Sequence, residues 1–246
     1  MTFSRSNTIV LFDIDGTLTP PRQQASPEML ALLQQLKQSV AVGVVGGSDA
    51  IKQKEQLGES VHSDYDYVFA ENGLVAYQNG TLVHQGSMVD FLGESRMQIL
   101  INGILSELSQ IELPFKRGTF VEFRTGMLNV SPVGRSVSQK ERDAFYEYDK
   151  EHKVREKLIT KLKTTFASWN LTFSIGGQVS FDIFPQGWDK TYCLQFVHQF
   201  TEIHFFGDKT YLGGNDYEIF ADPRVVGHTV TSPEDTVRQI EELFSV

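Results

Sequence analysis

Short apolar segments alternate with amphipathic helical segments along the first third of the chain. The apolar segments are NTIVLFDID, SVAVGVVGGSD and YDYVFAENG, and the helical segments between them are SPEMLALLQQLKQ and AIKQKEQLG. The same texture returns near the carboxyl end in EIHFFGDKT, YEIFADP and HTVTSPEDTVRQIEELF. Apolar strands separated by helices form a parallel sheet that is covered on both faces. These regions therefore predict an α/β unit with a doubly wound parallel sheet, whose ligands bind beyond the carboxyl ends of its strands.

The middle of the chain has a different pattern. FVEFRTGMLNVSPVG alternates with the period of a strand and predicts a hairpin that turns at Thr125–Gly126. SFDIFP alternates again, which places Ser180 and Asp182 on one face of a further strand. Helical stretches at roughly 91–110 and 140–168 flank these strands, so we expect a separate α+β unit inserted into the α/β one.

Turn-forming residues mark the expected borders of the inserted unit. QNGTLV precedes and spans residue 82, and PQGW follows the strand that ends near residue 186. We therefore predict a first domain made of residues 1–81 and 187–246, and an inserted domain made of residues 82–186.

Composition restricts the kinds of partner. The chain has 31 acidic against 22 basic residues and a net charge of −9, which argues against nucleic acid as the main partner. Its one cysteine, Cys193, cannot form an internal disulfide, which favours a reducing compartment. No segment approaches the length of about 18 apolar residues that a membrane span needs. We expect a cytoplasmic protein that does not bind a membrane.

Two aspartates follow the first apolar segment, in FDIDGTLT. Residues i and i+2 of a strand share a face, so Asp13 and Asp15 can point into one pocket as the strand ends. Two close carboxylates repel unless a cation or a proton lies between them, and Mg²⁺ bound through oxygen ligands would relieve that repulsion. The alternatives are a solvated turn, a metal site, or a nucleophile with its proton carrier.

This segment resembles the first motif of the haloacid dehalogenase superfamily of phosphotransferases, D-x-D-G-T. The resemblance implies that Asp13 is a nucleophile that forms an aspartyl-phosphate, and that Asp15 is its general acid and base. The superfamily also needs groups at other strand ends, and Ser48, Lys190 and Asp208 occupy such positions. Each has a simpler alternative: Ser48 could cap a helix, Lys190 could be a surface lysine, and GGND after Asp208 could be an ordinary turn.

Basic residues concentrate in the inserted unit. Residues 115–142 hold six basic residues and two acidic ones, a net charge of +4 in a chain of net charge −9. Arginine binds phosphate through bidentate, charge-assisted hydrogen bonds, so this stretch favours a second phosphate site over a solvated basic face. A phosphatase needs one phosphate pocket and a water, whereas a mutase must hold a sugar bisphosphate by either end.

Five longer segments resemble the eukaryotic-type α-phosphomannomutases, and together they extend the resemblance over nearly the whole chain. They are GVVGGSDAIKQKEQLGE, YVFAENGLVAY, KRGTFVEFRTGMLNVSPVGRS, VSFDIFPQGWDK and GGNDYEIFADPR. The resemblance implies a Rossmann-like core of the haloacid dehalogenase type with an inserted α+β cap. It also implies catalytic roles for Asp13, Asp15, Ser48 and Lys190.

The resemblance implies further site residues. Substrate contacts fall on Arg22, Arg124, Arg135, Arg142, Ser180 and Asp182. The Mg²⁺ site falls on Asp13, Asp15 and Asp208. A second, structural cation in relatives is held through Phe220 and Asp222, and here Val225 stands where that family is expected to have Thr, which weakens the expectation of this second site.

The implied function is the interconversion of mannose 6-phosphate and mannose 1-phosphate through an aspartyl-phosphate, for GDP-mannose synthesis. Mg²⁺ would be the cofactor, a hexose 1,6-bisphosphate the activator, and a homodimer through the cap the assembly. The alternatives are a sugar phosphatase on the same scaffold, a phosphoglucomutase as main or second activity, and a sugar-phosphate-binding protein that has lost catalysis. The intact set of Asp13, Asp15, Ser48, Lys190 and Asp208 argues against the last.

Overall fold

The structure of the chain is a computed structural model, and it describes residues 3–245. The chain divides into two compact units. The segment Gly86–Gln186 forms one, which we call the cap unit, and the described residues on either side of it form the other, which we call the core unit.

The strands and helices are numbered in chain order. The strands are β1 Thr8–Phe12, β2 Ala41–Val45, β3 Tyr67–Ala70, β4 Val75–Gln78, β5 Thr81–Gln85, β6 Val121–Phe123, β7 Leu128–Val130, β8 Leu171–Gly176, β9 Ser180–Pro185, β10 Glu202–Gly207 and β11 Val225–Thr229. The α-helices are α1 Pro27–Leu36, α2 Ala50–Leu57, α3 Val61–Asp64, α4 Met88–Leu92, α5 Glu94–Gln110, α6 Gln139–His152, α7 Val154–Thr165, α8 Tyr217–Phe220 and α9 Pro233–Phe244.

The core unit contains a seven-stranded sheet in the order β11-β10-β1-β2-β3-β4-β5. The first five strands in this order pair in parallel, with β1 at the centre between β10 and β2. β1, β2 and β3 are buried at every residue, as expected for strands that helices cover on both faces. The carboxyl ends of β1, β2 and β10 therefore meet at one edge of the sheet.

The first predicted border of the inserted unit falls inside a strand of the core unit. Val75–Gln78 and Thr81–Gln85 form a hairpin that extends the core sheet with antiparallel strands. Asn79 and Gly80 have φ values of 49° and 78°, the left-handed backbone of a tight two-residue hairpin turn. The QNG segment is thus a turn within the sheet, and the structure places the division after Gln85 instead of at residue 82.

Two separate apolar clusters cover the two faces of the core sheet. Val10 and Phe12 pack on one face with side chains of α1 and α9, such as Leu33 and Ile240. Leu11 packs on the other face with a 3₁₀-helix at Lys190–Phe196 and with α8. Successive side chains of β1 point to opposite faces, so one strand supplies both clusters and is held from both sides.

The cap unit is an α+β unit with a four-stranded antiparallel sheet in the order β6-β7-β9-β8. β6 and β7 form the predicted hairpin, closed by a hydrogen bond from the Arg124 amide to the Met127 carbonyl (2.9 Å). The long helical stretch expected from residue 140 onward is divided into α6 and α7. Lys153 lies between them with a left-handed backbone (φ 54°), which ends α6 before α7 begins at Val154.

Within residues 3–245, the structure contains no helix with the length and apolar character needed to cross a membrane.

Candidate active site

The carboxyl end of β1 positions the first aspartate of the DID motif. The Asp13 amide donates to the Phe206 carbonyl (2.9 Å), which continues the pairing of β1 with β10 by one residue. The Asp13 side chain is buried at this edge of the core sheet. Its position follows from the parallel register, because β10 ends beside β1 and carries Asp208 just beyond its last residue.

The glycine after the DID motif is required by a close approach between two loops. Gly16 has φ +85°, and a side chain there would place its Cβ 2.4 Å from Oδ2 of Asp208. A residue with a Cβ would fit there only if the Asp208 side chain moved, and the left-handed backbone also favours glycine. Gly16 therefore lets the loop after β1 and the loop after β10 lie against each other, with their carboxylates on the same side.

One lysine joins two carboxylates at the centre of this edge. Nζ of Lys190 contacts a carboxylate oxygen of Asp13 and one of Asp216, and the lysine is only 1% exposed. The surface-lysine alternative for Lys190 is therefore wrong. Lys190 begins the 3₁₀-helix, where Asp189 caps the first turn by accepting from the Thr191 amide (2.9 Å). Asp216 also accepts from the Lys209 amide (3.0 Å), which fixes its second oxygen.

Burial and charge set the ionisation of these groups. Burial raises the pKa of Asp13 to about 6 despite the opposing attraction of Lys190. Burial alone would lower the pKa of Lys190, but the Asp13 and Asp216 carboxylates together raise it above its ordinary value. At neutral pH the site therefore holds an ionised Asp13 carboxylate beside a charged ammonium group. An ionised carboxylate is chemically able to act as a nucleophile without a separate base.

Three carboxylates converge closely enough to share a cation. Among residues 3–245, Asp13, Asp208 and Asp216 form the one group of acidic, histidine or cysteine side chains whose ligand atoms lie within 4.8 Å of one another. Oδ1 of Asp208 is buried and has no hydrogen-bond partner. An unpartnered buried carboxylate oxygen is costly, and an oxygen-liganded divalent ion would satisfy it, so these residues fit Mg²⁺.

Asp15 was predicted to be a Mg²⁺ ligand, but its side chain has other partners in the structure. Its Oδ1 accepts from Nε2 of Gln56 (2.8 Å) and from the Arg22 amide (2.6 Å), and its side chain lies outside the three-carboxylate group. Asp216, which was not among the predicted metal ligands, belongs to that group. Gln56, fully buried in α2, was missed by sequence analysis, because a glutamine in an amphipathic helix gives no signal of its own.

Ser48 lies in the loop after β2 and helps to line a cavity of about 220 Å³. The other lining residues are Asp13, Ile14, Asp15, Gly46, Gly47, Gln56, Lys209 and Asn215. The helix-cap alternative for Ser48 is wrong, because Asp49 caps α2 by accepting from the Lys52 amide (2.8 Å). Ser48 therefore precedes the residue that caps the helix, and it shares the lining of this cavity with Asp13 and Asp15.

The residues expected to bind a second cation are arranged differently from the first group. Asp222 accepts two hydrogen bonds from the guanidinium group of Arg224, from Nε (2.8 Å) and from Nη2 (2.7 Å). This ion pair lowers the pKa of the Asp222 carboxyl. Phe220 packs its ring against the apolar cluster that contains Leu11. Both residues lie outside the group of Asp13, Asp208 and Asp216.

In the cap unit, two of the predicted arginines share one carboxylate. Nε of Arg124 donates to Oε1 of Glu122 (2.7 Å), and Nε of Arg135 contacts Oε2 of the same residue. Arg142 donates from Nη2 to the Arg135 carbonyl (2.7 Å), which ties the third arginine to the loop that carries the second. The cap sequence thus brings three arginines from a hairpin, a loop and a helix into one connected group.

A buried asparagine links this group to the predicted sugar contacts. Asn129 accepts from Nη1 of Arg135 (2.6 Å) and donates from Nδ2 to Asp182 (2.6 Å) and to Ser180 (3.1 Å). The register of the sheet places three polar residues side by side, because Glu122 pairs with Asn129 and Asn129 pairs with Asp182 across neighbouring strands. Burial raises the pKa of Asp182, against the lowering effect of the Asn129 hydrogen bond. Glu122 and Asn129 were missed because polar residues in an alternating strand are usually solvent-facing.

Comparison with known proteins assigns the family. The family model described as eukaryotic phosphomannomutase matches residues 29–246. Phosphomannomutase from Dendrobium officinale is 61% identical over 99% of this chain and 97% of the relative, and that from Glycine max is 59% identical over 99% of each. The chain belongs to the eukaryotic phosphomannomutase family. It is therefore an isomerase of the mutase class, and the resemblance found in the sequence is confirmed.

Solved structures of lower identity support the fold. Trehalose-6-phosphate phosphatase from Aspergillus fumigatus aligns with a TM-score of 0.64 over 98% of this chain and 94% of that one, at 16% identity. Plasmodium falciparum IMP-nucleotidase aligns with a TM-score of 0.62 over 98% of this chain and 68% of that one, at 14% identity. The predicted α/β fold with its parallel-sheet core is confirmed, and this family shares it with phosphatases.

Proposed function

We propose that this chain interconverts mannose 6-phosphate and mannose 1-phosphate through a phosphorylated Asp13 and a hexose 1,6-bisphosphate. One observation carries the proposal. The core unit has a buried carboxylate paired with Lys190, and the cap unit has a group of arginines, and each arrangement has the charge and the donors that suit a phosphate. A phosphatase needs the first alone, whereas a mutase needs a second place to hold the phosphate that is not reacting.

In the first half-reaction, the free hydroxyl of the hexose phosphate attacks the phosphorus of the aspartyl-phosphate. Asp15 takes the hydroxyl proton, the new oxygen–phosphorus bond forms, and the bond from phosphorus to the Asp13 oxygen breaks. The product is the bisphosphate, and Asp13 is released as a carboxylate. The Gln56 hydrogen bond holds Asp15 in place for this transfer.

In the second half-reaction, Asp13 attacks the other phosphate of the bisphosphate. The bond from phosphorus to the sugar oxygen breaks, and Asp15 returns the proton to that oxygen. Asp13 needs no base to act as the nucleophile, because its carboxylate is already ionised at neutral pH. Lys190 stays against the Asp13 carboxylate and offsets negative charge on the transferring oxygens.

The group of Asp13, Asp208 and Asp216 would hold Mg²⁺, which neutralises charge on the transferring phosphoryl group when bound. Ser48, in the cavity that Asp13 and Asp15 line, would donate its hydroxyl to a phosphoryl oxygen. Phe220 and Asp222 remain the candidates for a second, structural cation.

The cap arginines would bind the non-reacting phosphate. Arg124, Arg135 and Arg142 provide guanidinium groups, and arginine suits phosphate because its planar donors match the phosphate oxygens. Ser180 and Asp182, joined by Asn129, would bind sugar hydroxyls. Arg22, in the loop after β1, would contact substrate from the core unit.

The cellular setting and the assembly extend the proposal. The mutase would act in the cytoplasm and supply mannose 1-phosphate for GDP-mannose synthesis. A homodimer would form through the cap unit. In support, β6 is an edge strand of the cap sheet, and an apolar groove lined by Leu105, Leu108 and Phe120 lies in the same unit.

A coupled assay tests the proposal. Mannose 1-phosphate and glucose 1-phosphate are supplied separately, each with and without glucose 1,6-bisphosphate, and both hexose 6-phosphate and free phosphate are measured. The proposal predicts mannose 6-phosphate formation that depends on the bisphosphate, with little free phosphate. Free phosphate release that is unaffected by the bisphosphate would instead establish a phosphatase, and a faster reaction with the glucose substrate would establish a phosphoglucomutase as the main activity.

A further inference from the structure

Glu122 is the anion to which two of the cap arginines are bound. Its two carboxylate oxygens face two different guanidinium groups, Oε1 toward Nε of Arg124 (2.7 Å) and Oε2 toward Nε of Arg135. All three side chains are partly exposed, at 32% for Glu122, 40% for Arg124 and 30% for Arg135. A carboxylate therefore already occupies donors that a phosphate would use.

The charges around the arginines are nearly balanced. Asp182 provides a second carboxylate, and Asn129 joins it to Arg135 through hydrogen bonds of 2.6 Å on each side. Arg124 and Arg135 thus face two acidic side chains before any ligand arrives. The Glu122 carboxylate repels a phosphate that binds to these arginines, because the two groups carry like charge.

The proposed function gives this arrangement a purpose. The bisphosphate must present each of its phosphates to Asp13 in turn, so the cap unit must release one phosphate and bind the other in every cycle. Resting on that function, we propose that Glu122 is a positioning residue that orients Arg124 and Arg135 and weakens their hold on phosphate. The bisphosphate then leaves the cap arginines quickly enough to turn round between the half-reactions.

The direction in which phosphate affinity changes on substitution of Glu122 distinguishes this role from one in which Glu122 only supports the arginines. Glu122→Gln keeps the shape of the side chain and one accepting oxygen but removes the negative charge. If Glu122 only supported the arginines, its loss would weaken phosphate binding. If Glu122 opposes the phosphate, the loss of its charge strengthens phosphate binding and slows release. The ion pairs that Glu122 forms with the arginines are partly exposed and contribute little, whereas the repulsion between Glu122 and a phosphate dianion is larger.

The test measures the affinity for glucose 1,6-bisphosphate by calorimetry. The full chain is used with Asp13→Asn, so that bound ligand does not react, and Glu122→Gln is added to it. We expect Kd to fall by about tenfold. In the chain with native Asp13, Glu122→Gln should lower kcat and the KM for mannose 1-phosphate together. Glu147→Gln, which removes a carboxylate that pairs with Lys150 on α6, should change none of these values.

A Kd that is unchanged or raised by Glu122→Gln overturns the proposal. A second variant, Glu122→Asp, controls for local disorder. It retains the negative charge and should keep Kd within about threefold of the parent. A tenfold gain in affinity from Glu122→Asp would also overturn the proposal. Failure of the proposed function is recognised separately. In that case the unaltered chain shows no bisphosphate-dependent mutase activity, whatever the affinity of the Glu122 variants.

Discussion

The charged residues that Lys190 joins in the core unit are buried, whereas those of the arginine group in the cap unit are partly exposed to solvent. In the core unit, Lys190 is 1% exposed and contacts two buried carboxylates, Asp13 and Asp216. In the cap unit, Arg124 and Arg135 are 40% and 30% exposed and share the partly exposed Glu122. Both groups contain acids and bases in contact, but only the first is removed from water.

This difference fits two stages of one reaction. A buried charge group cannot reorganise cheaply, because a charge that loses its partner inside the protein costs several kcal/mol. In the proposed reaction it would therefore present fixed charges to the reacting phosphoryl group. A partly exposed group loses and regains partners at a cost of about 1 kcal/mol or less. It therefore suits a phosphate that must bind and leave in every cycle.

The largest effect is expected from Asp13→Asn. The amide keeps a hydrogen-bond acceptor for Lys190 but cannot form the phosphorylated intermediate, so mutase turnover should fall by about 10⁴-fold or more. The coupled assay measures turnover, and thermal unfolding should show a folded chain. Measurable mutase activity from this variant, with contamination excluded, would remove Asp13 from the role of nucleophile.

Lys190→Met tests the buried group directly. It leaves Asp13 and Asp216 close together without their shared cation, so the free energy of unfolding should fall by about 3–5 kcal/mol. Urea unfolding measures this value. Lys209→Met is the matched control, since Lys209 is 44% exposed and 3.7 Å from Asp208, and its loss should cost about 0.5 kcal/mol or less. Equal losses for the two lysines would abolish the contrast between buried and exposed charge.

Arg135→Gln tests the partly exposed group. It removes a guanidinium group that we propose to bind phosphate in the cap unit. The KM for mannose 1-phosphate should therefore rise by about 10- to 100-fold, while the unfolding free energy changes by about 0.5 kcal/mol or less. Steady-state kinetics and urea unfolding on the same preparation give both values. Arg117→Gln serves as the control, because Arg117 pairs with Glu141 outside the arginine group and should leave KM unchanged. A Lys190-like loss of stability from Arg135→Gln would contradict the comparison.

The smallest effect concerns two histidines of the core unit. Burial, reinforced by the neighbouring His204, lowers the pKa of His228 to about 4, and Nδ1 of His204 lies 2.9 Å from Nε2 of His228. The folded state thus favours neutral His228, and this stabilisation is complete above the ordinary pKa near 6.5 and is lost as the pH falls from there toward 4.

Unfolding in urea at pH 7.5 and pH 5 measures this loss. His228→Gln, which keeps a hydrogen-bond partner for His204 but does not titrate, should reduce the loss of stability at pH 5 by about 1 kcal/mol, a value lowered for the partial exposure of the ring. His152→Gln on the exposed surface of the cap unit should leave the pH dependence unaltered. Equal pH dependence in all three proteins would rule out His228 as the titrating group.

Much of the core unit could be predicted because its pattern is local. Buried parallel strands are continuous apolar runs, and the polar residues Asp13, Ser48 and Asp208 mark the ends of three of them. The predicted border at residue 82 lies next to the hairpin turn at Asn79–Gly80, four residues before the cap unit begins at Gly86, because a turn inside a sheet and a turn between domains use the same residues. Only strand pairing, which is not local, separates the two cases.

The sites were less predictable where contacts cross long stretches of sequence. Gln56 reaches Asp15 across 41 residues, and Asn129 reaches Ser180 across 51. Asp216 was noticed only as a neighbour of the motif at Asp208, yet the fold of that loop brings it to Lys190. Neutral amides carry no charge or motif that marks them, so only the fold reveals what they orient.

Detection of the phosphorylated enzyme tests the central claim most directly. The full chain is incubated with glucose 1,6-bisphosphate, and intact-mass and peptide mass spectrometry locate the transferred phosphoryl group. The account predicts one phosphoryl group on Asp13 that disappears when mannose 6-phosphate is added, with bisphosphate as the product. A phosphoryl group on another residue, or one that Asp13 loses only to water, would contradict it.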